Sequence, residues 1–272
     1  MAMNWPTFFT RLGSAVVFCA VMIVGLLWNE WSFLALVSLI QILCIHEYFR
    51  LMKKIYPNYY SPIWLYVAMQ IGCIGYLLYY SPLFQDYESI ILSAIILPQF
   101  VLMAAALSIH KSRYAAGYAF LSFFYLSLPM ILLLRLYMLN DLFPLMLILM
   151  IWCNDTLAYL VGSFIGKTPL TKISPKKTWE GTVGGVILTL VSVAVWAYFK
   201  ETDYNIIQWV GLALVVAIAG TFGDLLESKL KRMADVKDSG AIMPGHGGAL
   251  DRFDSLLIAT PFAFIYVCIF ML

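Results

Sequence analysis

The sequence predicts an all-α integral membrane protein that crosses the bilayer about nine times. Of its 272 residues, 62% are hydrophobic and only 12% are charged, and the mean hydropathy is +0.87. Soluble domains carry about 25% charged residues, so this composition excludes an ordinary soluble fold. Nine apolar segments are long enough to cross a hydrocarbon core, which takes roughly 20 helical residues.

Short polar loops separate the nine predicted spans. The spans lie near residues 12–29, 31–49, 62–80, 89–109, 117–138, 142–165, 182–199, 206–224 and 253–271. Those within residues 1–110 carry little chemistry, so we expect this part to be a transmembrane scaffold. Residues 111–272 form the predicted catalytic region, with charged loops at 166–181 and 225–252.

The lysines and arginines predict the orientation. All but two of the 17 cationic residues, Arg135 and Lys200, fall in loops on the same side as the N-terminus. Cytoplasmic loops carry the excess of Lys and Arg, so the N-terminus and both charged loops are predicted to face the cytoplasm. We expect a multi-pass protein of the inner, cytoplasmic membrane whose active site faces the cytoplasm.

Within the predicted scaffold, one polar group stands at the end of the second span. His46 and Glu47 are adjacent there and lie beside Arg50. They could form an ion site, or they could be an interfacial cap on a cytoplasmic helix end. We favour the cap as the simpler interpretation.

The sixth span contains polar residues that a membrane helix rarely carries. Asn154 and Asp155 are followed by Tyr159 and Gly162, and the last three share one helix face. A carboxylate inside a span lines a cavity or meets a cation. The alternative is a polar cluster that joins helices, with glycine allowing close approach. We favour function and take Asn154, Asp155 and Tyr159 as candidate substrate-binding residues.

The loop after the sixth span is cationic and runs into the start of the seventh. It reads KTPLTKISPKKTWEGTVGG from Lys167 to Gly185, with four lysines before the helix. Helix N-termini bind anions, so polyphosphate is a natural ligand. The alternative is an ordinary positive-inside loop that touches anionic lipid. Gly184 and Gly185 indicate a helix-packing surface. The candidate substrate-binding residues here are Lys167, Lys176, Lys177, Thr178 and Glu180.

The stretch Asp224–Asp254 is the most ionic part of the chain, with six carboxylates and five cations in 31 residues. Asp224, Glu227 and Ser228 share one helix face. Further on, Gly247 and Gly248 end the run GHGG. Because glycine lacks a side chain, these residues can bring backbone amides close to a ligand.

A second pair of carboxylates, Asp251 and Asp254, opens the ninth span three residues apart. Carboxylates at two facing helix ends suit a hard cation such as Mg²⁺, which prefers oxygen ligands and substrate phosphate. We therefore expect Asp224, Asp251 and Asp254 to hold one divalent cation, Mg²⁺ or another in its place. Helix capping by acids and bases is the alternative, but it would not explain the cations, the glycines and both acidic pairs together.

Over residues 150–256 the chain resembles the phosphatidate cytidylyltransferases, or CDP-diacylglycerol synthases. The residues that match the family signature are Ser228, Lys231, Arg232, Lys237, Asp238, Gly240, Pro244, His246, Gly247, Gly248, Asp251, Arg252 and Asp254. An upstream block also matches, at Asp155, Ala158, Tyr159, Gly162, Gly166, Ser174, Pro175, Lys177, Thr178, Glu180 and Gly181. Leu157 departs from the family pattern, which has a smaller residue there.

The resemblance implies an enzyme that joins CTP to phosphatidic acid, releasing pyrophosphate and forming CDP-diacylglycerol for phospholipid biosynthesis. Residues expected to be catalytic are Asp224, Lys231, Arg232, Lys237, Asp238, His246, Asp251, Arg252 and Asp254. We expect Ser228, Gly247 and Gly248 to bind substrate, with Lys231, Arg232 and Lys237 holding the triphosphate. The implied partners are CTP, phosphatidic acid, membrane lipid and a second copy of the chain, and no nucleic acid is expected.

Two other functions fit parts of the pattern. An ion-coupled transporter could bind ions at Asp155 and Asp224 in broken helices. Such folds usually have two repeated halves, and the sequence contains no convincing repeat. A lipid kinase that uses CTP could employ a similar metal site. Incubation with CTP plus phosphatidate, compared with CTP plus a lipid alcohol, would separate the three possibilities.

Overall fold

The computed structural model describes residues 5–56, 121–242 and 247–272, with side chains described from residue 13 onward. Every regular element in these ranges is a helix, as the sequence predicts. The α-helices are α1 (Trp5–Leu27), α2 (Glu30–Ile55), α3 (Leu128–Leu139), α4 (Leu142–Ile165), α5 (Trp179–Phe199), α6 (Ile206–Met233) and α7 (Leu250–Phe270). A π-helical turn, Phe123–Ser127, leads into α3.

Five of these helices, α2, α4, α5, α6 and α7, are long and apolar enough to cross a membrane. The prediction of an all-α multi-pass membrane protein is therefore confirmed. The predicted spans at 62–80 and 89–109 fall outside the described residues, so the number nine and the orientation stay predictions.

Several helices extend beyond the predicted bounds of their spans, α6 by the most. The sixth predicted span, 142–165, coincides with α4, whereas α6 continues nine residues beyond the predicted end at 224. The apolar stretch ends there, but the helix does not, because the charged residues that follow are also good helix formers. Lys231 and Arg232 lie in its last turn, where cations interact favourably with the helix dipole.

The chain divides into two compact units. Unit 1 consists of Met1–Leu134 and Met233–Phe253, and unit 2 consists of Arg135–Arg232 and Asp254–Leu272. The loop that follows α6 therefore belongs to the same unit as the N-terminal helices. The predicted division of the chain at residue 110 stays a prediction.

Unit 1 is organised by the packing of α1 on α2. Asn29 caps α2 by accepting a hydrogen bond from Ser32 N at 2.8 Å, and Ser32 Oγ accepts one from Asn29 N at 3.0 Å. The rings of Phe18 in α1 and Phe253 at the start of α7 pack with their centroids 5.8 Å apart. Glu47 of α2 also meets the first turn of α7, where it accepts hydrogen bonds from Ala249 N and Leu250 N.

Unit 2 is held together by small residues that let helices approach closely. A Cβ on Gly185 of α5 would lie 2.6 Å from Ala158 Cβ of α4, and one on Gly184 would lie 2.6 Å from Val161 Cγ1. The predicted packing role of Gly184 and Gly185 is confirmed. Membrane helices often pack through such small residues.

Candidate active site

Three carboxylates from three helices of unit 2 lie near one another. Asp254 of α7 is only 8% exposed, and the charges of Asp224 on α6 and Asp155 on α4 act on it. A Cβ on Gly223 would lie 3.0 Å from Ser255 Cα, so α6 and α7 meet here almost backbone to backbone. This close packing brings Asp224 and Asp254 together. We call Asp155, Asp224 and Asp254 the acidic cluster.

A lysine from the loop before α5 reaches the acidic cluster. Lys177 Nζ forms an ion pair with Asp224 Oδ2, and both side chains are partly buried. Ser228 Oγ donates a hydrogen bond to Asp224 Oδ1 at 3.3 Å. The structure therefore joins residues that the sequence assigned to separate tasks, since Lys177 was expected to bind substrate and Asp224 to bind a metal.

The chemistry of the acidic cluster suits a hard divalent cation. It offers three carboxylates, and Lys177 is the cation whose charge acts on Asp254. Oxygen donors in excess of positive charge are what Mg²⁺ and similar ions bind. Among the residues that the structure describes, no three His, Cys, Asp or Glu side chains are close enough to form a finished metal site. The acidic cluster therefore fits a divalent cation by the chemistry of its donor atoms.

Hydrogen bonds build the cationic loop that carries Lys177. Leu170 N donates to Lys177 O at 2.7 Å, and Lys177 N donates to Ser174 O at 3.1 Å. Thr178 caps α5 by accepting a hydrogen bond from Gly181 N at 3.1 Å. These bonds fix the backbone on both sides of Lys177.

Glu180 accepts hydrogen bonds from backbone groups of the same loop. Its donors are Lys167 N at 3.2 Å and Thr168 N at 3.1 Å. The carboxylate thus closes the loop onto the first turn of α5. Its role in binding substrate stays a prediction.

The other candidates of unit 2 differ in exposure. Asp155, Tyr159, Lys167 and Lys176 are exposed, as expected for residues that line an opening. Asn154 is buried, and its Oδ1 has no hydrogen-bond partner among the described residues. An unpaired buried amide oxygen is costly, and native structures contain few of them.

An apolar groove with a volume of about 510 Å³ lies between α5 and α6. It includes Trp179 and Leu225, the chain neighbours of Thr178 and Asp224. Its full lining is Leu170, Trp179, Thr182, Val183, Val186, Ile187, Ile218, Thr221, Phe222 and Leu225. The groove therefore starts beside the residues that carry the Lys177–Asp224 ion pair.

On α6, a buried carboxylate holds one of the predicted phosphate-binding cations. Glu227 is fully buried, and its Oε2 lies 2.6 Å from Lys231 Nζ. The sequence placed Glu227 with Asp224 on one helix face but left it out of the predicted metal ligands, although its position four residues before Lys231 is the signal of a helical ion pair. A buried charge needs such a partner, so Glu227 determines where Lys231 lies.

In unit 1, Asp251 binds the loop that precedes α7. Its Oδ2 accepts hydrogen bonds from Ser239 N at 2.9 Å, Ser239 Oγ at 2.9 Å and Gly248 N at 2.7 Å. Gly247 has a φ of +86°, a left-handed conformation that favours glycine. The predicted approach of backbone amides to a ligand at this position stays a prediction.

Glu47 is the functional candidate that sequence reasoning undervalued. It lies in α2, is 1% exposed, and accepts hydrogen bonds from Ala249 N at 3.0 Å and Leu250 N at 2.8 Å. The sequence favoured an interfacial cap on the end of its own helix. The structure shows a buried cap on the first turn of α7 instead, because the chain returns to α2 about 200 residues later.

Several predicted site residues lie at the surface or outside the described ranges. Arg232, Lys237, Asp238 and Arg252 are exposed. His246 falls outside the residues that the structure describes. Binding of triphosphate by these residues stays a prediction.

The fold and the site define a multi-pass helical membrane protein that brings carboxylates from three helices together with a lysine. The model of the cytidylyltransferase family matches residues 9–270, so the chain belongs to that family.

Curated relatives share sequence with part of the chain. A protein of Bacillus subtilis (strain 168) named phosphatidate cytidylyltransferase is 45% identical over 121 residues, 44% of this chain and 45% of that protein. Proteins with the same name from Staphylococcus aureus (strain COL) and Synechocystis sp. are 46% and 42% identical over 114 and 121 residues. These matches cover 42% and 44% of this chain and 44% and 41% of those relatives. The chain thus spans less than half the length of the curated relatives it matches.

Proposed function

We propose that this protein transfers the cytidylyl group of CTP to phosphatidic acid, giving CDP-diacylglycerol and pyrophosphate. Family membership over residues 9–270 and relatives named phosphatidate cytidylyltransferase support this function. The observation that carries the proposal is the ion pair between Lys177 and Asp224 within the acidic cluster. It brings a phosphate-binding cation to carboxylates that suit a metal ion.

The reaction requires two anions to meet. A phosphate oxygen of phosphatidic acid forms a bond to the α-phosphorus of CTP, and the bond from that phosphorus to the bridging oxygen of pyrophosphate breaks. Enzymes accelerate such transfers mainly by positioning the reactants and by stabilising charge on the phosphate oxygens. Lysines and metal-binding carboxylates are the residues that supply both effects.

The proposed cofactor is Mg²⁺, held by Asp224 and Asp254 with Asp155 nearby. Asp251 belongs to this set on its sequence spacing, three residues before Asp254 on α7. When bound, the ion would neutralise the phosphate charge that builds up as pyrophosphate leaves. The carboxylates would hold it, and Ser228 orients Asp224 by its hydrogen bond.

On the lipid side, Lys177 is proposed to bind the phosphate of phosphatidic acid. An ammonium group binds phosphate as a point charge, so it can hold the headgroup while one oxygen stays free to attack. The apolar groove between α5 and α6 begins beside Lys177 and is lined by aliphatic and aromatic side chains. It is therefore suited to an acyl chain of the same lipid.

On the nucleotide side, Lys231, Arg232 and Lys237 are proposed to hold the triphosphate, together with backbone amides near Gly247 and Gly248. Arg252 and His246 belong to this proposal through the family signature. We place the site on the cytoplasmic face of the inner membrane, where CTP is available, because these cations lie on the predicted cytoplasmic side, whose loops carry all but two of the 17 lysines and arginines. A homodimer is the proposed assembly.

Purified full-length protein in mixed micelles tests the function. With CTP and phosphatidate we expect stoichiometric pyrophosphate and CDP-diacylglycerol. With CTP and diacylglycerol we expect no product. Formation of CDP from the second pair would show a lipid kinase, and turnover of neither pair would contradict both enzymatic functions.

A further inference from the structure

We infer that Glu47 is a positioning residue. It holds Ser239, in the loop between α6 and α7 (the signature loop), and the start of α7, and so orients Asp251. Glu47 belongs to α2, in the part of the chain where the sequence shows little chemistry. Its partners lie in residues 239–250. The kinetic part of this inference rests on the proposed function, whereas the contacts do not.

The first line of evidence is that both oxygens of the Glu47 carboxylate accept hydrogen bonds. Oε1 accepts a hydrogen bond from Ala249 N, and Oε2 accepts from Leu250 N and from Ser239 Oγ, both at 2.8 Å. Ala249 and Leu250 begin α7, whose first amides have no partner within the helix. Glu47 supplies that partner from another helix, and its negative charge is favourable at the helix N-terminus.

The second line of evidence is the presence of glycine at two positions beside this carboxylate. A Cβ on Gly240 or on Gly248 would overlap the carboxylate oxygens of Glu47. Glycine at these two positions therefore makes room for Glu47 in a site where only 1% of that residue is exposed. Two positions of the signature thus have a structural explanation that requires Glu47.

The third line of evidence links Glu47 to Asp251. Ser239 Oγ lies 2.8 Å from Glu47 Oε2 and 2.9 Å from Asp251 Oδ2. Gly248 N, next to the amides that bind Glu47, donates to the same Asp251 oxygen. Displacement of Glu47 would therefore move Ser239 and Gly248, the two residues whose donors hold the Asp251 side chain.

The pattern of donors explains why this residue must be a carboxylate. Glu47 faces two backbone N–H groups and a hydroxyl, one N–H at each oxygen. A carboxylate accepts on both oxygens, whereas an amide presents an NH₂ group on one side. In Glu47→Gln, that NH₂ group would oppose a backbone N–H in either orientation, although the side chain would keep its size.

The test uses full-length protein carrying Glu47→Gln, with Glu30→Gln as the matched control. Glu30 is exposed at the other end of α2. We expect Glu47→Gln to lower kcat. It should also raise the Mg²⁺ concentration for half-maximal activity by about 10- to 100-fold, the usual effect of losing a residue that orients a metal ligand. The KM for phosphatidate should change less than about twofold, since the lipid-side residues lie elsewhere. Glu30→Gln should match the wild type.

Amide hydrogen exchange, measured without metal or substrate, provides a readout that does not depend on activity. In Glu47→Gln the amides of Ala249 and Leu250 should exchange about tenfold faster, because their acceptor is lost. Ser239→Ala removes only the hydroxyl between the two carboxylates. It should lower kcat less, and its effect should not add to that of Glu47→Gln if both act through Asp251.

Wild-type exchange in Glu47→Gln would overturn the inference. So would faster exchange with an unchanged kcat and Mg²⁺ requirement, because Glu47 would then be a structural cap alone. If wild-type protein failed to release pyrophosphate, the proposed function would fail, while the exchange data would still decide whether Glu47 holds α7.

Discussion

At the scale of single residues, Asp254 is the most buried carboxylate of the acidic cluster. Burial of a carboxylate beside two others is unfavourable unless a cation balances the charge. A bound metal ion would balance this charge, so the arrangement supports a metal site independently of the resemblance to a family.

Replacement of these carboxylates by amides tests the metal site. We expect Asp254→Asn and Asp224→Asn to reduce pyrophosphate release by more than the roughly 100-fold typical of an outer-shell residue, while the protein still folds. Asp251→Asn should behave in the same way if it is a ligand. Asp203→Asn, at an exposed loop position, is the control. Wild-type activity of the cluster variants at low Mg²⁺ would contradict the assignment.

Lys177→Ala separates the lipid from the nucleotide. Loss of a charge-assisted contact to phosphate should raise the KM for phosphatidate about tenfold and change that for CTP little. The measurement varies phosphatidate in mixed micelles at saturating CTP, and then varies CTP at saturating phosphatidate. Lys172→Ala, in the same loop and exposed, is the matched control.

An effect of Lys177→Ala on CTP alone would assign the loop to the nucleotide. Because Lys177 pairs with Asp224, the variant should also be measured over a range of Mg²⁺ concentrations. A changed Mg²⁺ requirement with an unchanged KM for phosphatidate would show that Lys177 serves the acidic cluster and does not select the headgroup.

At the scale of elements, α6 carries an ion pair whose two halves can be separated experimentally. Lys231→Met leaves Glu227 buried without its cation, which should cost about 3–5 kcal/mol in the free energy of unfolding. Adding Glu227→Gln should recover most of that loss, because an amide needs no counter-charge.

Thermal unfolding in detergent measures the stability of these α6 variants, and pyrophosphate release measures their activity. If Lys231 also binds triphosphate, the double variant should be stable but inactive. Lys229→Met, at an exposed position on the same helix, should change neither. Recovery of both stability and activity would show that Lys231 pairs with Glu227 and is not needed to bind triphosphate.

The packing of α4 against α5 is sensitive to a single methyl group. A Cβ on Gly185 would lie 2.6 Å from Ala158 Cβ, so Gly185→Ala should destabilise the protein by about 1–3 kcal/mol. A Cβ on Gly220 of α6 would lie 3.5 Å from Ser255 Cβ, an ordinary contact. Gly220→Ala should therefore be neutral or slightly stabilising. Equal melting temperatures for the two variants would contradict this account of the interface.

At the scale of the whole molecule, the two units do not follow the order of the chain. Residues 233–253, which contain much of the signature, belong to the unit of the N-terminal helices, and Asp254–Leu272 belong to the other. A helix can begin in one unit and continue in the other, as α7 does. The helices before residue 56 therefore contribute Glu47 to the signature loop as well as membrane anchoring.

The sequence by itself determined the helices and the chemical character of the site. A membrane helix must be apolar over its length, so α4 could be placed at 142–165 from composition alone. The spacing of Asp224 and Ser228 predicted a shared helix face, and the structure has a hydrogen bond between them. Such patterns are local, because a helix repeats every 3.6 residues.

Only the tertiary structure decided which distant residues meet. Ser239 and Leu250 bind Glu47 across 192 and 203 residues of chain, and no periodicity connects them. Lys177, in the loop before α5, likewise meets Asp224 of α6, and glycines let α4 pack against α5 and α6 against α7. Close packing selects partners by shape, whereas sequence patterns report only the character of each surface. The acids and lysines of the site could therefore be predicted from the sequence, and their pairing could not.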